Sequence, residues 1–237
     1  MAPPDCQDID RRLRNTGERC RWRILRAMSI LQGNPEAAKI GVEQPPDNPL
    51  VLLRDWIDQA ASLNVTDHQA LVLGTLRTDG RPQARVVSAK SCDEAGVIFG
   101  TSTRSGKGLD LAHCPHASGV FWWPSLMQQV TMTGSVNVLP SEKSDELFAG
   151  RPREAQAVAI LSHQSQPLVD EADLREGVQH LLSGREPLNR PSHWHGFRLV
   201  IDSIEFWHGR VDRLHRRLHY SRVESEQTAW RMRRLQP

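Results

Sequence analysis

The stretch IEFWHGRVDRLHRR, residues 204–217, concentrates side chains that could bind an anion. On an extended chain Arg213, His215 and Arg217 are two residues apart, so their side chains would point to one face. Trp207 lies a few residues upstream, across a glycine. Arginine pairs bidentately with carboxylate and phosphate groups, and an imidazole adds a further polar contact. The pattern predicts a pocket for an anionic aromatic compound.

Other uses of this stretch are disfavoured. The arginines among His208, His215 and His219 would repel a cation, so we expect no metal site. Lys and Arg number 30 against 28 Asp and Glu, a net charge of +2, which leaves no global field to hold nucleic acid. The four cysteines form no C-x-x-C pair, and no apolar run reaches the roughly 18 residues that span a bilayer. These features predict a cytoplasmic protein that binds neither nucleic acid nor membrane.

The segment TSTRSGKGLDL, residues 101–111, is a second candidate site. The hydroxyls of Thr101 and Ser105 and the cation of Lys107 come directly before or within the start of a short helical pattern. The free N–H groups and partial positive charge at a helix N-terminus can bind phosphate, and hydroxyls and a lysine would extend such a site. The spacing is not that of a Walker P-loop. An ordinary polar loop with a capping serine fits this segment equally well.

Two further stretches carry weaker signals. In ARVVSAK, residues 84–90, Arg85 and Lys90 are five apart, so they face opposite sides of a strand unless a bulge intervenes. Gln128, Gln129 and the segment SHQSQ at 162–166 offer amides that could hydrogen-bond a heterocycle. Charged and amide side chains more often lie at the solvent-exposed surface. Neither stretch identifies a site by itself.

The elements that would position these residues follow from the periodicity of the chain. Residues 1–46 show no sustained period and are interpreted as a mobile arm, followed by one domain over 47–237. Asn48 can cap a helix that begins at Pro49. Five short apolar runs between residues 70 and 139 are separated by turn residues, a pattern that favours a closed antiparallel barrel.

The second half of the chain mixes helices with a return to strands. Helices are predicted at 141–149, with Ser141 as the cap, and at 170–183, whereas the stretch between them could be helix or loop. Apolar residues then alternate through HGFRLVIDSIEFWHG with a slip near Asp202, which a bulge would explain. The tail TAWRMRRLQP reads as a last strand.

Taken in order, the stretches RVVSAK, TSTRSGK, QQV, HQS, IEFW and RLHRR resemble motifs of the pyridoxamine 5'-phosphate oxidase family of split-barrel flavoproteins. The resemblance covers residues 47–237. It implies a mainly β (α+β) fold, an FMN-binding split β-barrel with peripheral helices, and a homodimer with FMN at the subunit interface. It also implies that FMN, once reduced, is reoxidised by O2 to give H2O2.

The resemblance assigns the cofactor residues motif by motif. The residues that would border the flavin are Arg85, Val86, Val87, Ser88 and Lys90, and those that would hold its phosphate are Thr101, Ser105, Gly106 and Lys107. Gln129, Gln164 and Ser165 would come partly from the partner subunit, and Trp207 and Arg217 would complete the site. The family usually has an arginine before the lysine, where this chain has Gly106.

The substrate side departs further from the family pattern. Lys90, Arg151, Arg213 and His215 stand where the family binds its substrate, but Leu147 replaces a tyrosine and Ala155 a serine. The loss of two neutral donors resembles the phenazine-biosynthesis branch, whose members oxidise reduced phenazine carboxylic acids. Arg213 and His215 would then be the catalytic pair that orients an aromatic acid. Pyridoxamine or pyridoxine 5'-phosphate oxidase is the alternative enzyme, and a non-catalytic flavin binder is the alternative class.

Overall fold

The computed structural model describes residues 33–34, 41, 43–223 and 226–237. The rest of the predicted arm, residues 1–32, 35–40 and 42, lies outside the described residues. Its last part is attached to the barrel, because the Tyr220 hydroxyl donates to the carbonyl of Pro46 at 2.8 Å. Glu43 forms an ion pair with Arg216.

Within the described residues, eight antiparallel strands form one sheet that closes on itself. The strands are β1 Ala70–Leu76, β2 Pro82–Cys92, β3 Gly96–Ser102, β4 His116–Trp123, β5 Gln128–Val138, β6 Trp194–His208, β7 Arg216–Val223 and β8 Glu226–Leu235. Their order is β3-β2-β1-β4-β5-β6-β7-β8, and β3 also pairs with β6. Six strands therefore form a closed barrel, and β7 and β8 extend its wall beyond β6. The predicted mainly β split barrel is confirmed.

Alternating burial along the strands shows which face of the sheet turns to the core of the barrel. In β1 the buried residues alternate with exposed ones, so one face turns to a core that includes Leu71 and Leu73. Helix α1, Pro49–Ser62, covers this core, and the Asn48 side chain accepts from the Leu50 N–H at 3.0 Å, as predicted for the cap. Trp56 of α1 is fully buried and meets Phe206 edge to face at 5.2 Å.

Two β-bulges shift the register of the sheet, one at Asp202 and one at Lys90. In the β5–β6 pairing Thr133 faces Ser203 while Gly134 faces Ile201, which leaves Asp202 as the extra residue. The predicted slip at Asp202 is confirmed as a bulge. A second register shift lies between Ala89 and Ser91, so Lys90 is the extra residue of β2.

The other α-helices of the described residues lie between β3 and β4 and between β5 and β6. They are α2 Gly106–His113, α3 Ser141–Ala149, α4 Arg153–Leu161 and α5 Glu171–Ser183. The stretch left open in the sequence is thus helical as far as Leu161. The prediction that Ser141 caps α3 was wrong: Pro140 holds the cap position, and the Ser141 hydroxyl instead accepts from Arg190 at 2.8 Å. Among the described helices, none has the length and apolar character needed to cross a bilayer.

Candidate functional site

A cluster of hydroxyls and one lysine lies where β3 ends and α2 begins. The Lys107 Nζ is 3.2 Å from the Thr101 Oγ1 and 3.5 Å from the Ser105 Oγ. Ser105 caps α2, because its side chain accepts from the Gly108 N–H at 3.2 Å. Thr101 and Ser105 are buried. We call Thr101, Ser105, Gly106 and Lys107 the anion cluster, since a helix N-terminus, two hydroxyls and an ammonium suit a phosphate.

The loop after α4 completes this cluster within the same chain. The Gly106 N–H donates to the Ser165 Oγ at 3.1 Å, and the Thr101 hydroxyl lies 3.5 Å from the Gln164 Oε1. Ser165 has a φ of 73°, a left-handed conformation that non-glycine residues seldom adopt. The structure therefore brings both predicted residues of the HQS stretch to the anion cluster of their own chain.

Arg85 lies behind the anion cluster and is tied to a buried carboxylate. It donates to the Thr75 Oγ1 at 2.6 Å and to the Asp110 Oδ2 at 3.3 Å. Thr75 in turn donates to Asp110 at 2.6 Å. Burial, and after it the positive charge of Arg85, lowers the pKa of Lys107, while Asp110 acts in the opposite direction. A bound anion would relieve this crowding of positive charge.

The other β2 residues divide between the two faces of the sheet. Val86 is 64% exposed, and the Lys90 Nζ lies 3.2 Å from the Ser88 Oγ, so these three residues line the outer side. Val87 packs against the core instead. Lys90 follows Ser88 by two positions, so its side chain lies on the side of Ser88, away from Arg85, and the bulge does not bring the two cations to one face.

Gln129, Trp207 and Arg217 form one row across three strands. Gln129 of β5 faces Trp207 of β6, and Trp207 faces Arg217 of β7. Directly paired residues point to the same side of a sheet, so these side chains share one half-exposed surface. Trp122 joins them, with its ring 6.1 Å from that of Trp207. We call Trp122, Gln129, Trp207 and Arg217 the aromatic shelf; it suits the flat face of a heterocycle.

Arg217 is already paired within the chain. Its Nε and Nη2 donate to the two carboxylate oxygens of Glu205 at 2.7 and 3.0 Å. Its Nη1 donates to the carbonyl of Gln236 at 3.1 Å. Bidentate pairing fixes the plane of the guanidinium at the edge of the shelf.

The predicted extended conformation of residues 213–217 was wrong. Only Arg216 and Arg217 belong to β7, and Arg213 has a φ of 65° in the preceding turn. The cause is Asp212, whose carboxylate accepts from the Leu214 N–H at 3.0 Å and from the Arg210 guanidinium. Arg213 and His215 therefore lie in a turn, and strand alternation does not place their side chains on the same face as that of Arg217.

His215 nevertheless lies on the aromatic shelf. Its ring centroid is 4.7 Å from that of Trp207. The Arg210 N–H donates to its Nδ1 at 3.1 Å, which places the proton of the neutral ring on Nε2. Burial, followed by the charge of Arg213, lowers the pKa of His215 below its usual value of 6.5. The ring is thus neutral near pH 7 and presents an N–H donor.

Two cavities hold the other predicted substrate residues. Lys90 and Leu147 line a cavity of about 590 Å³ between β2, β3 and α3. Arg151 and Ala155 line one of about 360 Å³ that also includes Thr101 and Gln164 of the anion cluster and its loop. Arg213 and His215 line neither. Within one chain the four predicted substrate residues are therefore not brought together.

Several residues at these sites were missed from the sequence. Thr75 and Asp110 hold Arg85, and Trp122 extends the shelf. Asp110 follows Lys107 by three positions on a predicted helix, a spacing that could have suggested a shared face. Trp122 alternates with buried Phe121 and Trp123, which could have placed it on the outer side of β4.

Two family models match the chain over most of the described residues. Residues 57–175 match the family model described as pyridoxamine 5'-phosphate oxidase, and residues 194–237 match that of the pyridoxine 5'-phosphate oxidase C-terminal dimerisation region. The pyridoxine/pyridoxamine 5'-phosphate oxidase of Chromohalobacter salexigens is 38% identical over 84% of this chain and 93% of its own. That of Salinibacter ruber is 39% identical over 84% and 94%.

Two solved structures are similar to this chain in fold. The crystal structure of PhzG from Burkholderia lata 383, in complex with tetrahydrophenazine-1-carboxylic acid, is 37% identical and superimposes with a TM-score of 0.80 over 84% of this chain and 98% of that one. A pyridoxamine 5'-phosphate oxidase-related, FMN-binding protein of Nostoc punctiforme shares the fold at 19% identity and a TM-score of 0.66, over 79% of this chain and 96% of its own. With matches of this extent along the barrel and its C-terminal strands, the chain belongs to the pyridoxamine 5'-phosphate oxidase family.

Proposed function

We propose that the protein is an FMN-dependent oxidase that takes two electrons from a reduced phenazine carboxylic acid and passes them to O2, giving H2O2. PhzG, which is similar to this chain, was solved with a reduced phenazine acid. The observation that carries the substrate assignment is the chemistry of the cavity walls. Leu147 lines one cavity and Ala155 the other, and neither of these two side chains carries a hydrogen-bond donor. A phosphate there would therefore lose hydrogen bonds that a larger apolar ring does not need.

The anion cluster and the aromatic shelf fit the two ends of FMN. The ammonium of Lys107, the hydroxyls of Thr101 and Ser105 and the α2 N-terminus match a phosphate dianion. Trp207 and the amide of Gln129 match a flat heterocycle that carries donors and acceptors. When bound, FMN supplies the two-electron redox chemistry, and the protein supplies binding and orientation.

The separation of these two regions supports a homodimer with FMN at the interface. His195 of β6 pairs with Thr101, and Trp207 lies twelve residues further along the same strand. At about 3.3 Å per residue this is roughly 40 Å of strand, more than one flavin would span. A second copy could place its shelf beside the first copy's anion cluster. The match to a dimerisation region over residues 194–237, which include the shelf residues Trp207 and Arg217, favours this arrangement.

In this arrangement Arg213 and His215 would orient the acid. The guanidinium of Arg213 from one copy and that of Arg151 from the other would each pair with one oxygen of the carboxylate, and the Nε2–H of His215 would donate to it or to a ring nitrogen. The Nδ1 of His215 already accepts from Arg210, so a role as proton acceptor would cost that bond. The structure therefore favours orientation by His215 over proton abstraction.

Aerobic turnover tests the proposal. Tetrahydrophenazine-1-carboxylic acid should be oxidised with one H2O2 formed for each pair of electrons removed, well above the rate of its spontaneous oxidation without protein. Electron removal without consumption of O2 would reject O2 as the acceptor.

Replacing Gly106 by arginine should tighten FMN binding by roughly tenfold, because a charge-assisted hydrogen bond contributes about 1.5 kcal/mol or more. The site has room for a side chain: a Cβ at Gly106 would have the Ser165 Oγ as its nearest heavy atom, at 3.7 Å. Fluorescence titration of the flavin-free protein would measure the effect. Gly106→Met is the matched control, and an equal gain in that variant would refute a phosphate contact.

The pH dependence of turnover should report His215. Its lowered pKa keeps the ring neutral above pH 6.5, so kcat/KM is expected to be flat there and to fall at lower pH as the ring is protonated. Protonation puts a hydrogen on Nδ1, which then repels the Arg210 N–H and disturbs the turn that holds Arg213. In His215→Asn the Oδ1 can replace Nδ1 without titrating, so the acid limb should disappear. An unchanged limb in that variant would show that another group titrates.

Pyridoxamine or pyridoxine 5'-phosphate oxidase is the second candidate function. It is favoured by the names of relatives at 38–39% identity and by the presence of both Lys90 and Arg151. Efficient formation of pyridoxal phosphate from pyridoxamine phosphate and air would favour this candidate over the phenazine acid.

A further inference from the structure

Arg151 is a half-buried cation with little to neutralise it. Its Nη2 donates to the carbonyl of Ala155 at 3.0 Å. Its Nε is buried and has no hydrogen-bond partner, and no carboxylate pairs with it among the described residues. Burial lowers the pKa of Arg151, because the charged form is poorly solvated there. A guanidinium held in this way is stabilised when an anion enters the adjoining cavity of about 360 Å³.

The ring of Trp194 holds Arg151 toward that cavity. The Arg151 Cζ lies 5.2 Å from the ring centroid, within the range of a cation–π interaction. Trp194 is only 4% exposed and is fixed from two sides. Phe148 meets its ring edge to face at 5.2 Å, and a Cβ at Gly100 would come within 2.4 Å of its Cζ2. The six-membered part of the ring therefore occupies space that a side chain at residue 100 would need.

This contact orients a guanidinium that has no side-chain acceptor among the described residues. Ala155 offers Arg151 only its backbone carbonyl. Leu147 packs against Gly196 instead, since a Cβ added to Gly196 would lie 2.6 Å from the Leu147 Cδ1. The aromatic face is thus the main side-chain contact that orients the guanidinium.

We infer that Trp194 is a positioning residue that holds Arg151 ready for an anionic group of the substrate, a carboxylate or a phosphate. The inference rests on the proposed function in one respect, that Arg151 contacts the substrate. What it adds is that the ring of Trp194, with the space left by Gly100, preorganises the guanidinium of Arg151.

Steady-state kinetics separate positioning from general structure. Trp194→Leu should raise KM for the reduced phenazine acid by roughly 5- to 30-fold, with kcat nearly unchanged, since the ring acts on binding of the anion. Trp194→Phe keeps an aromatic face and should restore most of the affinity. Gly100→Ala should raise KM as well, because the added Cβ displaces the ring. Trp230→Leu is the matched control: it removes the tryptophan ring that lies over Arg222 at 4.0 Å and leaves the lining of the Arg151 cavity unchanged, so KM should change far less.

A double-mutant cycle tests the route through Arg151. If Trp194 acts through this arginine, Trp194→Leu should have little further effect on KM in an Arg151→Met background. Additive effects of the two changes would overturn the inference. So would a Trp194→Phe variant no better than Trp194→Leu.

Equilibrium binding keeps the test independent of turnover. Phenazine-1-carboxylate, neutral phenazine and pyridoxal phosphate would each be titrated into the flavin-loaded protein, with the flavin spectrum as readout. Weaker binding of phenazine-1-carboxylate in Trp194→Leu, with neutral phenazine unaffected, supports the inference and assigns the anion as carboxylate. An effect confined to pyridoxal phosphate supports it with phosphate as the anion and counts against the phenazine proposal. Equal weakening of all three ligands, or of none, contradicts it.

Discussion

Replacing Lys107 by methionine is expected to lower FMN affinity by roughly 10- to 100-fold while riboflavin binding changes little. The Nζ of Lys107 is the cation of the anion cluster, 3.2 Å from Thr101 and 3.5 Å from Ser105. Hydrogen bonds to charged groups contribute about 1.5–3 kcal/mol, which corresponds to this range of affinity. Riboflavin has the same ring system without the phosphate, so it should not depend on this lysine. Fluorescence titration of flavin-free protein would give both dissociation constants.

The matched control for Lys107 is Lys143→Met. Lys143 is an exposed lysine that pairs with Glu146 on α3, so its removal changes the net charge equally without touching the cluster. FMN affinity should be nearly unaffected in this variant. Equal losses for FMN and riboflavin in Lys107→Met would mean that the lysine supports the fold rather than the phosphate.

Removing the Arg213 side chain should reduce kcat/KM for the reduced phenazine acid by roughly 10- to 100-fold while the protein stays yellow. Arg213 lies in the turn before β7, outside both cavities and outside the anion cluster of its own chain, so the proposed function assigns it to the substrate and not to the phosphate of FMN. Steady-state kinetics and the flavin content of the purified variant would be measured together. Loss of flavin with unchanged chemistry in the loaded fraction would assign Arg213 to the cofactor instead.

Two variants of Arg213 separate the side chain from the backbone. Arg213 has a φ of 65°, which alanine tolerates poorly and glycine adopts freely. If the guanidinium matters, Arg213→Ala and Arg213→Gly should lose similar activity. Recovery of activity in the glycine variant alone would trace the alanine defect to the turn.

The barrel could be predicted from the sequence because its signals are local. Strands β1, β4 and β5 alternate buried residues with more exposed ones, turns separate the strands, and Asn48 and Pro49 mark the start of α1 by residue type alone. The bulge at Asp202 was visible as a slip in the same alternation. The predicted cap of α3 failed because Arg190, 49 residues from Ser141, binds that hydroxyl.

The candidate sites were less predictable because their contacts are distant in sequence. Arg85 meets Asp110 across 25 residues, and Thr101 meets Gln164 across 63. No periodicity in the chain encodes either pairing. The conformation of Arg213 failed for a different reason: Asp212 captures the Leu214 N–H and bends the chain where alternation had suggested a strand. The residue types predicted anion binding at residues 101–107, and the fold then showed how Thr101, Ser105 and Lys107 lie next to one another.

Reduction of the flavin without O2 tests the central claim most directly. The FMN-loaded protein would be mixed anaerobically with tetrahydrophenazine-1-carboxylic acid or with pyridoxamine phosphate, and the flavin absorbance followed in time. The account predicts rapid bleaching by the phenazine acid, much slower bleaching by pyridoxamine phosphate, and recovery of the colour with H2O2 formation when air is admitted. Rapid bleaching by pyridoxamine phosphate, with the flavin left oxidised by the phenazine acid, would contradict it.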